Sequence, residues 1–487
     1  MNVHARPHAA LVDALAARLG GQHVLVEAGD MAGHLTESRG YYRGSASAVA
    51  RPANVEEVAF VVRECAASGV PVVPQCGNTG LVGGGVPYGG VVLSLARLDR
   101  VRDLDPVNAT MTVEAGCILQ SVRAAAESVD LLFPLWLPSE GSARIGGTLS
   151  TNAGGANVLR YGNTRELVLG LEVVLADGRV WNGLSGLRKD NTGYDLKNLF
   201  VGAEGTLGII TAAVLKLFPR PKVKATAFVG GPSVHRTLEL FDRLRKRAGD
   251  TLTAFEYMPR FALQIVLRHA PGAAKPLADE HDSCALIELS SPDPQADLQG
   301  TLETILSAAL EDGLIDDATI AASEAQNRAL WHLREALSEV QRHEGGSIKH
   351  DVSVPVSRVA DFVAEACAAC EAAMPGIRPC AFGHFGDGNI HLNLAQPVGM
   401  DKAAFLAEWE RFNRIVHDIV ARMKGSISAE HGIGLIKRDE LLMYKDPVAV
   451  DLMRTLKRAL DPHNILNPGK VLALGETLPD ALPRGAA

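Results

Sequence analysis

The sequence predicts an α+β protein of more than one domain. Three observations predict it. The chain has 487 residues, enough for two or three domains and a substantial core. Short apolar runs of β type alternate with amphipathic helical stretches. Two prolines, Pro219 and Pro221 in LFPRPKVK, punctuate the chain near its middle. Boundaries are placed to give domains 1–220, 221–425 and 426–487.

The elements follow in order. MNVHARPHAALVDALAARLG reads as a first helix, because it lacks the apolar core and cleavage site of a signal peptide. Asn54 can cap a helix carrying Val55, Val58, Val61 and Val62, with Gly69 to end it. VPVVP, VVLSL, MTVEAG, LEVVLADG and GIITAAVLKLF read as strands. Past the prolines come strand TAFVGG, a helix over 233–247, strands TAFEYM and CALIELSS, and another helix. This βαβ-like alternation is typical of a split α+β sheet. A long helix is expected over 324–343, then strand GSIKHDVSVPVS, an Ala-rich helix, a hairpin at 383–393, and helices over 402–424 and 447–460. Residues 478–487 read as a loose tail.

Composition excludes some functions. A net charge of −8 and a pI near 6.0 argue against nucleic acid as a partner. Aromatic residues are only 5 %, so base-stacking platforms are not expected. No uncharged apolar run has the length of a membrane span. The seven cysteines are odd in number and scattered. Cys367 and Cys370 have CxxC spacing, but AEACAACEAA reads as a small-residue packing face. The set looks reduced, which places the protein in the cytoplasm.

Glycine is abundant, with 48 residues, and it clusters. PQCGNTGLVGGGVPYGG (74–90) is not a Rossmann fingerprint, because a strand follows it where that motif needs a helix. Its glycines can still form a nest of N–H donors around a diphosphate. Two more such stretches are LPSEGSARIGGTLSTNAGGANVLRYG (137–162) and VGAEGTLGIIT (201–211). One glycine loop can be a set of turns; three in one domain point to a large extended ligand.

GHFGDGNIHLN (383–393) carries a second signal. Alternation puts Ile390, Leu392 and Leu394 on one strand face and His391 and Asn393 on the other. A hairpin can bring His384 beside His391, giving two imidazoles of a zinc-type site. The alternative is two histidines that only hydrogen-bond within a turn. Glu430 in SAEHGIG could complete a two-His, one-carboxylate set, with His431 adjacent. Asp387 is a rival ligand, although in Gly-Asp-Gly-Asn it also suits the turn itself. QNRALWHLREALSEVQR offers Arg328, Arg334 and Arg342. Arg334 and Ser338 are four apart on one helix face, and Lys349 adds a donor. A surface salt bridge of Arg334 with Glu335 or Glu339 is the competing role.

Taken together, PQCGNTGLVGGG, GGTLSTNAGG and GAEGTLGIIT resemble the FAD-binding domain of the vanillyl-alcohol-oxidase flavoprotein family. GHFGDGNIHLN, SAEHGIG and NPGKV resemble its D-2-hydroxyacid dehydrogenase branch, especially the D-2-hydroxyglutarate dehydrogenases. The resemblance spans roughly residues 40–473. It implies a two-lobed FAD-binding domain, an α+β cap domain over the flavin, and a small C-terminal helical segment returning to the FAD domain. By resemblance, Pro74, Cys76, Gly77, Asn78, Thr79 and Gly80 wrap the FAD diphosphate. Pro138, Ser142, Gly147, Thr148, Asn152 and Gly155 line the flavin. Glu204, Gly205 and Ile209 meet the adenosine or ribityl part, and Asn467 of NPGKV joins the cofactor set. CGNT replaces the family's more usual GGNT. No histidine lies within 74–90, so the FAD is expected to be non-covalent.

The resemblance makes His384, His391 and Glu430 the metal ligands and His431 the base. Arg334, Ser338 and Lys349 fall where the family holds a distal substrate carboxylate, and Asn393 where it holds the C1 carboxylate or hydroxyl. His350 replaces a commoner tyrosine, a change that could tune selectivity. The implied reaction is oxidation of D-2-hydroxyglutarate to 2-oxoglutarate. The metal lowers the hydroxyl pKa, His431 takes the proton and the flavin takes the hydride. Zinc suits the ligands best, with manganese and cobalt as alternatives. D-lactate or glycolate oxidation is the alternative within the family. A metal-dependent hydrolase binding a phosphate ester is the alternative outside it. No iron–sulfur cysteine spacing is present, so electron-transfer flavoprotein or a quinone is the expected acceptor. A homodimer is implied by the resemblance alone.

Overall fold

A computed structural model describes residues 8–475. The expected tail at 478–487 and the first seven residues lie outside the described residues. The chain divides into two compact units: 1–154, 163–218 and 431–487 form one, and 155–162 with 219–430 form the other.

Among the described residues, two sheets lie wholly within the first unit. A four-stranded sheet runs Val24–Leu25, Ala48–Ala50, Val91–Ser94, Val72–Gln75, and its last three strands are parallel. Helices Ala9–Leu19 and Val55–Ala67 bury Leu15, Val58, Val61 and Val62 in the core formed with it. Asn54 caps the second helix as its sequence requires, with Oδ1 accepting the Glu57 N–H at 2.9 Å. A five-stranded antiparallel sheet runs Val101–Asp105, Thr110–Glu114, Ile209–Lys216, Val168–Val174, Val180–Gly183.

A buried ion pair helps to stitch the C-terminal segment into this unit. Lys457, on helix Pro447–Leu460, donates to the carbonyls of Thr206 and Leu466 at 2.9 and 2.8 Å, and to Asp461 Oδ2 at 2.5 Å. Asp461 accepts the N–H groups of Ile465 and Leu466. These bonds extend Ile465–Asn467 along the edge strand, where Val72 N–H donates to the Ile465 carbonyl and Asn467 N–H to the Val72 carbonyl, each at 2.8 Å. Asn467 is thereby fixed beside the first glycine loop.

The second unit is a seven-stranded antiparallel sheet. Its order is Asp317–Ile320, Val223–Gly231, Ser283–Ser291, Leu252–Pro259, Arg378–His384, Asn389–Ala395, Ser347–Ser353. Strand alternation gives it two distinct faces. Ile348, Val352, Ile390, Leu392 and Leu394 are fully buried on one face. Helix Trp409–Arg422 packs against strand Ser347–Ser353, and helix Val359–Ala373 against strand Arg378–His384. On the other face Phe228, Met258, Leu286, Cys380 and Phe382 meet Leu330, Leu333, Leu337 and Val340 of the helical rod.

That rod is less regular than the expected helix over 324–343. It comprises helix Glu324–Glu335, helix Leu337–Val340 and a 3-10 turn Gln341–Glu344, ended by Gly345 at φ 97°. Ala336 keeps right-handed dihedrals, so the path continues through the interruption. The expected helix over 402–424 divides as well, into Lys402–Leu406 and Trp409–Arg422. Helix Arg260–His269, absent from the sequence reading, follows directly on a strand, and Pro259 both ends the strand and caps the helix.

Candidate active site

In the first unit the three glycine stretches converge. A Cβ on Gly77 would lie 2.2 Å from the Ser142 carbonyl oxygen, so only glycine lets the first two loops approach this closely. Gly205, at φ 71°, packs against Pro74, which brings in the third. Asn78, Asn152 and Glu204 hold left-handed backbones near φ 50°. Asn78 Nδ2 donates to the Gly33 and Thr36 carbonyls at 3.1 Å, and Asn152 Oδ1 accepts the Arg165 N–H at 2.9 Å. Thr148 and Ile209 are buried, and Gly80 has open space where a side chain would be. Burial pushes the Cys76 thiol up to about 12, so it stays neutral against the backbone of Gly147. Gly155 begins the short segment 155–162 that belongs to the second unit.

Asn467 Nδ2 donates to the carbonyls of Gly84 and Glu204, at 2.9 and 2.8 Å. Its Oδ1 is buried without a hydrogen-bond partner. A buried acceptor of this kind requires a donor, and FAD carries ribityl hydroxyls and ring N–H groups. The loops therefore fit that cofactor. The Glu204 carboxylate is already engaged: it accepts the N–H groups of Ile433 and Gly434, at 2.7 and 2.9 Å. Glu204 thus secures the backbone just past His431. Burial raises its pKa to about 7, against the downward pull of those two N–H groups and Lys437.

In the second unit one sheet face gathers the polar residues. Direct cross-strand pairs are Glu256 with His384, Phe382 with His391, His391 with Asp351, and Asn393 with both Cys380 and Lys349. The turn between the two histidines is built as its sequence suggests. Asp387 Oδ1 accepts the Asn389 N–H at 3.0 Å. Phe385 is fully buried against Tyr257, with ring centroids 5.0 Å apart. The His384 and His391 rings end 5.6 Å apart, edge to face.

The donors that lie closest together differ from the expected set. His391 Nε2 is 3.7 Å from Glu430 Oε1, and Asp351 lies on the other side of the same ring, Oδ1 3.6 Å from Nδ1. Asp351, His391 and Glu430 each offer a ligand atom within 4.8 Å of the others. His384 stands beside this group with Nδ1 bonded to Glu256 Oε1 at 2.7 Å. A separation of 3.7 Å admits an ion between nitrogen and oxygen at bond lengths of about 2.1 Å. This set of imidazoles and carboxylates suits zinc or manganese. Asp351 also accepts the Glu430 N–H at 3.0 Å and the Asn389 Nδ2–H at 3.0 Å. It was not foreseen, although its alternation with Lys349 in KHDVS marks it. Burial, and then Asp351, raise the Glu430 carboxyl to about 7. His431 follows Glu430 in the chain and begins the last segment of the first unit.

Arg334 makes neither of the ion pairs weighed from sequence. It is buried, its Nε donates to Glu256 Oε2 at 2.8 Å, and its guanidinium lies over the Phe382 ring at 5.0 Å. Ser338, one turn on, is exposed. Arg334 meets this face at Glu256 and Phe382, and Lys349 stands on it beside Asn393, which pairs in turn with Cys380. Asn393 Nδ2 donates to Gln341 Oε1 at 2.8 Å. His350 points the other way, its Nδ1 on the Leu392 carbonyl and its ring 5.7 Å from that of His417. The reading that His350 tunes substrate selectivity is therefore corrected: strand alternation sends it into the core on the opposite face.

Two family models match the chain: an FAD binding domain over 46–183, and the C-terminal domain of FAD linked oxidases over 220–471. D-2-hydroxyglutarate dehydrogenase, mitochondrial, of Bos taurus is 41 % identical over 88 % of this chain and 77 % of its own length. The chain belongs to the D-2-hydroxyglutarate dehydrogenase family of FAD-linked oxidoreductases. The D-2-hydroxyglutarate dehydrogenase of Xanthomonas citri pv. viticola is 40 % identical over 90 % of this chain and 91 % of its own length. Among solved structures, p-cresol methylhydroxylase with substrate bound shares the fold, with a TM-score of 0.75 at 19 % identity, covering 96 % of this chain and 98 % of its own. Among the described residues, no helix is long and apolar enough to cross a membrane.

Proposed function

We propose that this member of the family oxidises D-2-hydroxyglutarate to 2-oxoglutarate with FAD and a divalent metal, zinc by preference. One observation carries the reading. The metal-type donors and Lys349 lie on one face of one sheet, and Arg334 reaches that same face at Glu256 and Phe382. A substrate with a hydroxyacid at one end and a carboxylate at the other matches that layout.

In this reading Arg334 and Lys349 hold the distal carboxylate, with Ser338 at the edge, and Asn393 holds the C1 carboxylate or the hydroxyl. His391 and Glu430, with His384, would hold the ion, and Asp351 offers a further oxygen. An ion there would polarise the substrate hydroxyl and lower its pKa. His431 takes the hydroxyl proton on a ring nitrogen. The glycine loops and Asn467 would hold FAD, which would supply the acceptor for the hydride leaving C2. Proton and hydride together are the two hydrogens that separate the alcohol from the ketone.

The electron acceptor is read as electron-transfer flavoprotein or a quinone, and the assembly as a homodimer. Both rest on the family. A cytoplasmic placement rests on the seven free thiols. The test of substrate is Arg334→Ala assayed on D-2-hydroxyglutarate and on D-lactate, which has no distal carboxylate. Truncating a buried, hydrogen-bonded charge costs about 2–5 kcal/mol. A loss on the order of a hundredfold is expected with D-2-hydroxyglutarate and a much smaller one with D-lactate. Equal losses on both substrates refute the distal clamp.

A further inference from the structure

Glu256 is 1 % exposed in the middle of strand Leu252–Pro259. Its two oxygens serve different partners. Oε1 bonds His384 Nδ1 at 2.7 Å, and Oε2 accepts from Arg334 Nε at 2.8 Å. The partners come from separate parts of the chain: His384 from the facing strand and Arg334 from the helical rod. An ionised carboxylate can only accept, so the His384 proton must sit on Nδ1. That leaves Nε2 as the nitrogen able to hold a metal. The bond to Arg334 uses Nε, and the guanidinium carbon lies 5.0 Å from the centroid of the Phe382 ring. The two terminal NH2 groups are then the fork available to a carboxylate.

We propose that Glu256 is a positioning residue that sets the metal-facing tautomer of His384 and the fork orientation of Arg334 together. The inference rests on the functional reading above. It goes beyond that reading by linking metal retention to recognition of the far end of the substrate. A salt bridge that merely fastened the rod to the sheet would lower stability and leave metal affinity and selectivity unchanged.

The test uses the full-length holoprotein, wild type beside Glu256→Gln and Glu256→Asp. Zinc affinity is measured by competition with a chelator, and KM is measured at saturating zinc for D-2-hydroxyglutarate and D-lactate. Glu256→Gln is expected to bind zinc 10- to 100-fold more weakly, the usual range for a residue behind a ligand. The same variant should raise KM for D-2-hydroxyglutarate at least about tenfold while KM for D-lactate changes little. Glu256→Asp keeps the charge and should recover part of both. If the Gln variant does not fold, the Asp variant must show the same joint shift at smaller size. Zinc affinity and the KM ratio both within about twofold of wild type, or one moving without the other, overturns the proposal. Wild type that holds no metal or does not turn over D-2-hydroxyglutarate refutes the functional reading, and the proposal with it. An unchanged variant beside an active, metal-loaded wild type refutes Glu256 alone.

Discussion

Two buried charge clusters, one in each unit, are built on opposite plans. Lys457 and Asp461 close on themselves: the ammonium has two carbonyls and a carboxylate, and the carboxylate has two backbone N–H groups. Nothing in that cluster is offered to a ligand. Glu256, His384 and Arg334 are joined along one edge only. The bonds use Nδ1 and Nε, so the opposite ring nitrogen and the terminal guanidinium groups can act outward. A closed cluster fixes a fold. An open one holds reactive groups in place and still presents them.

The sharpest way to break this contrast is at the base. His431→Asn is expected to lower kcat by about 10²–10⁴, the usual range for a general base. Flavin absorbance of the purified variant should stay at the wild-type level, because the glycine loops are untouched. Loss of flavin instead would place His431 with the cofactor.

Next is Lys457→Met, which leaves Asp461 charged in the core. Removing one partner of a buried pair costs about 3–5 kcal/mol. Urea unfolding should show a loss of that size, with FAD retention falling and zinc affinity unmoved wherever the protein is folded. A loss under 1 kcal/mol would mean that water reaches the pair.

A third effect is pH-dependent. Burial holds the Glu204 carboxyl near 7, above its ordinary value of 4.5. The folded state then binds more protons than the unfolded chain between those values, so stability falls as pH rises from about 4.5 through about 7. The effect is no more than about 3 kcal/mol. Stability of wild type against Glu204→Gln, followed across that range, should reveal it; parallel curves would show that Glu204 keeps its ordinary pKa. The smallest effect is Asn54→Ala, which removes a helix cap for about 1 kcal/mol, seen as a shift in Tm with activity unchanged.

These sites also differ in how far the sequence reveals them. Caps and alternation are local, and they read through: Asn54 on its helix, and His391 and Asn393 opposite Ile390, Leu392 and Leu394. The glycine loops could be read as a cradle from composition, but the approach of Gly77 to Ser142 is a tertiary fact. Glu256 and Gln341 were invisible because their partners lie far along the chain, His384 128 residues from Glu256 and Asn393 52 from Gln341. The one signal for Glu256 was a lone carboxylate inside TAFEYM, an otherwise apolar strand. Arg334 was found for its charge, and its actual partner was not among its helical neighbours.

The most direct measurement is anaerobic flavin reduction by D-2-hydroxyglutarate, with elemental analysis of the same sample, before and after dialysis against a chelator. The protein is expected to be yellow, to carry a divalent metal and to bleach with the D enantiomer. Chelation should abolish bleaching and leave FAD bound, and zinc or manganese should restore it. Undiminished bleaching in metal-free protein would show that oxidation needs no metal.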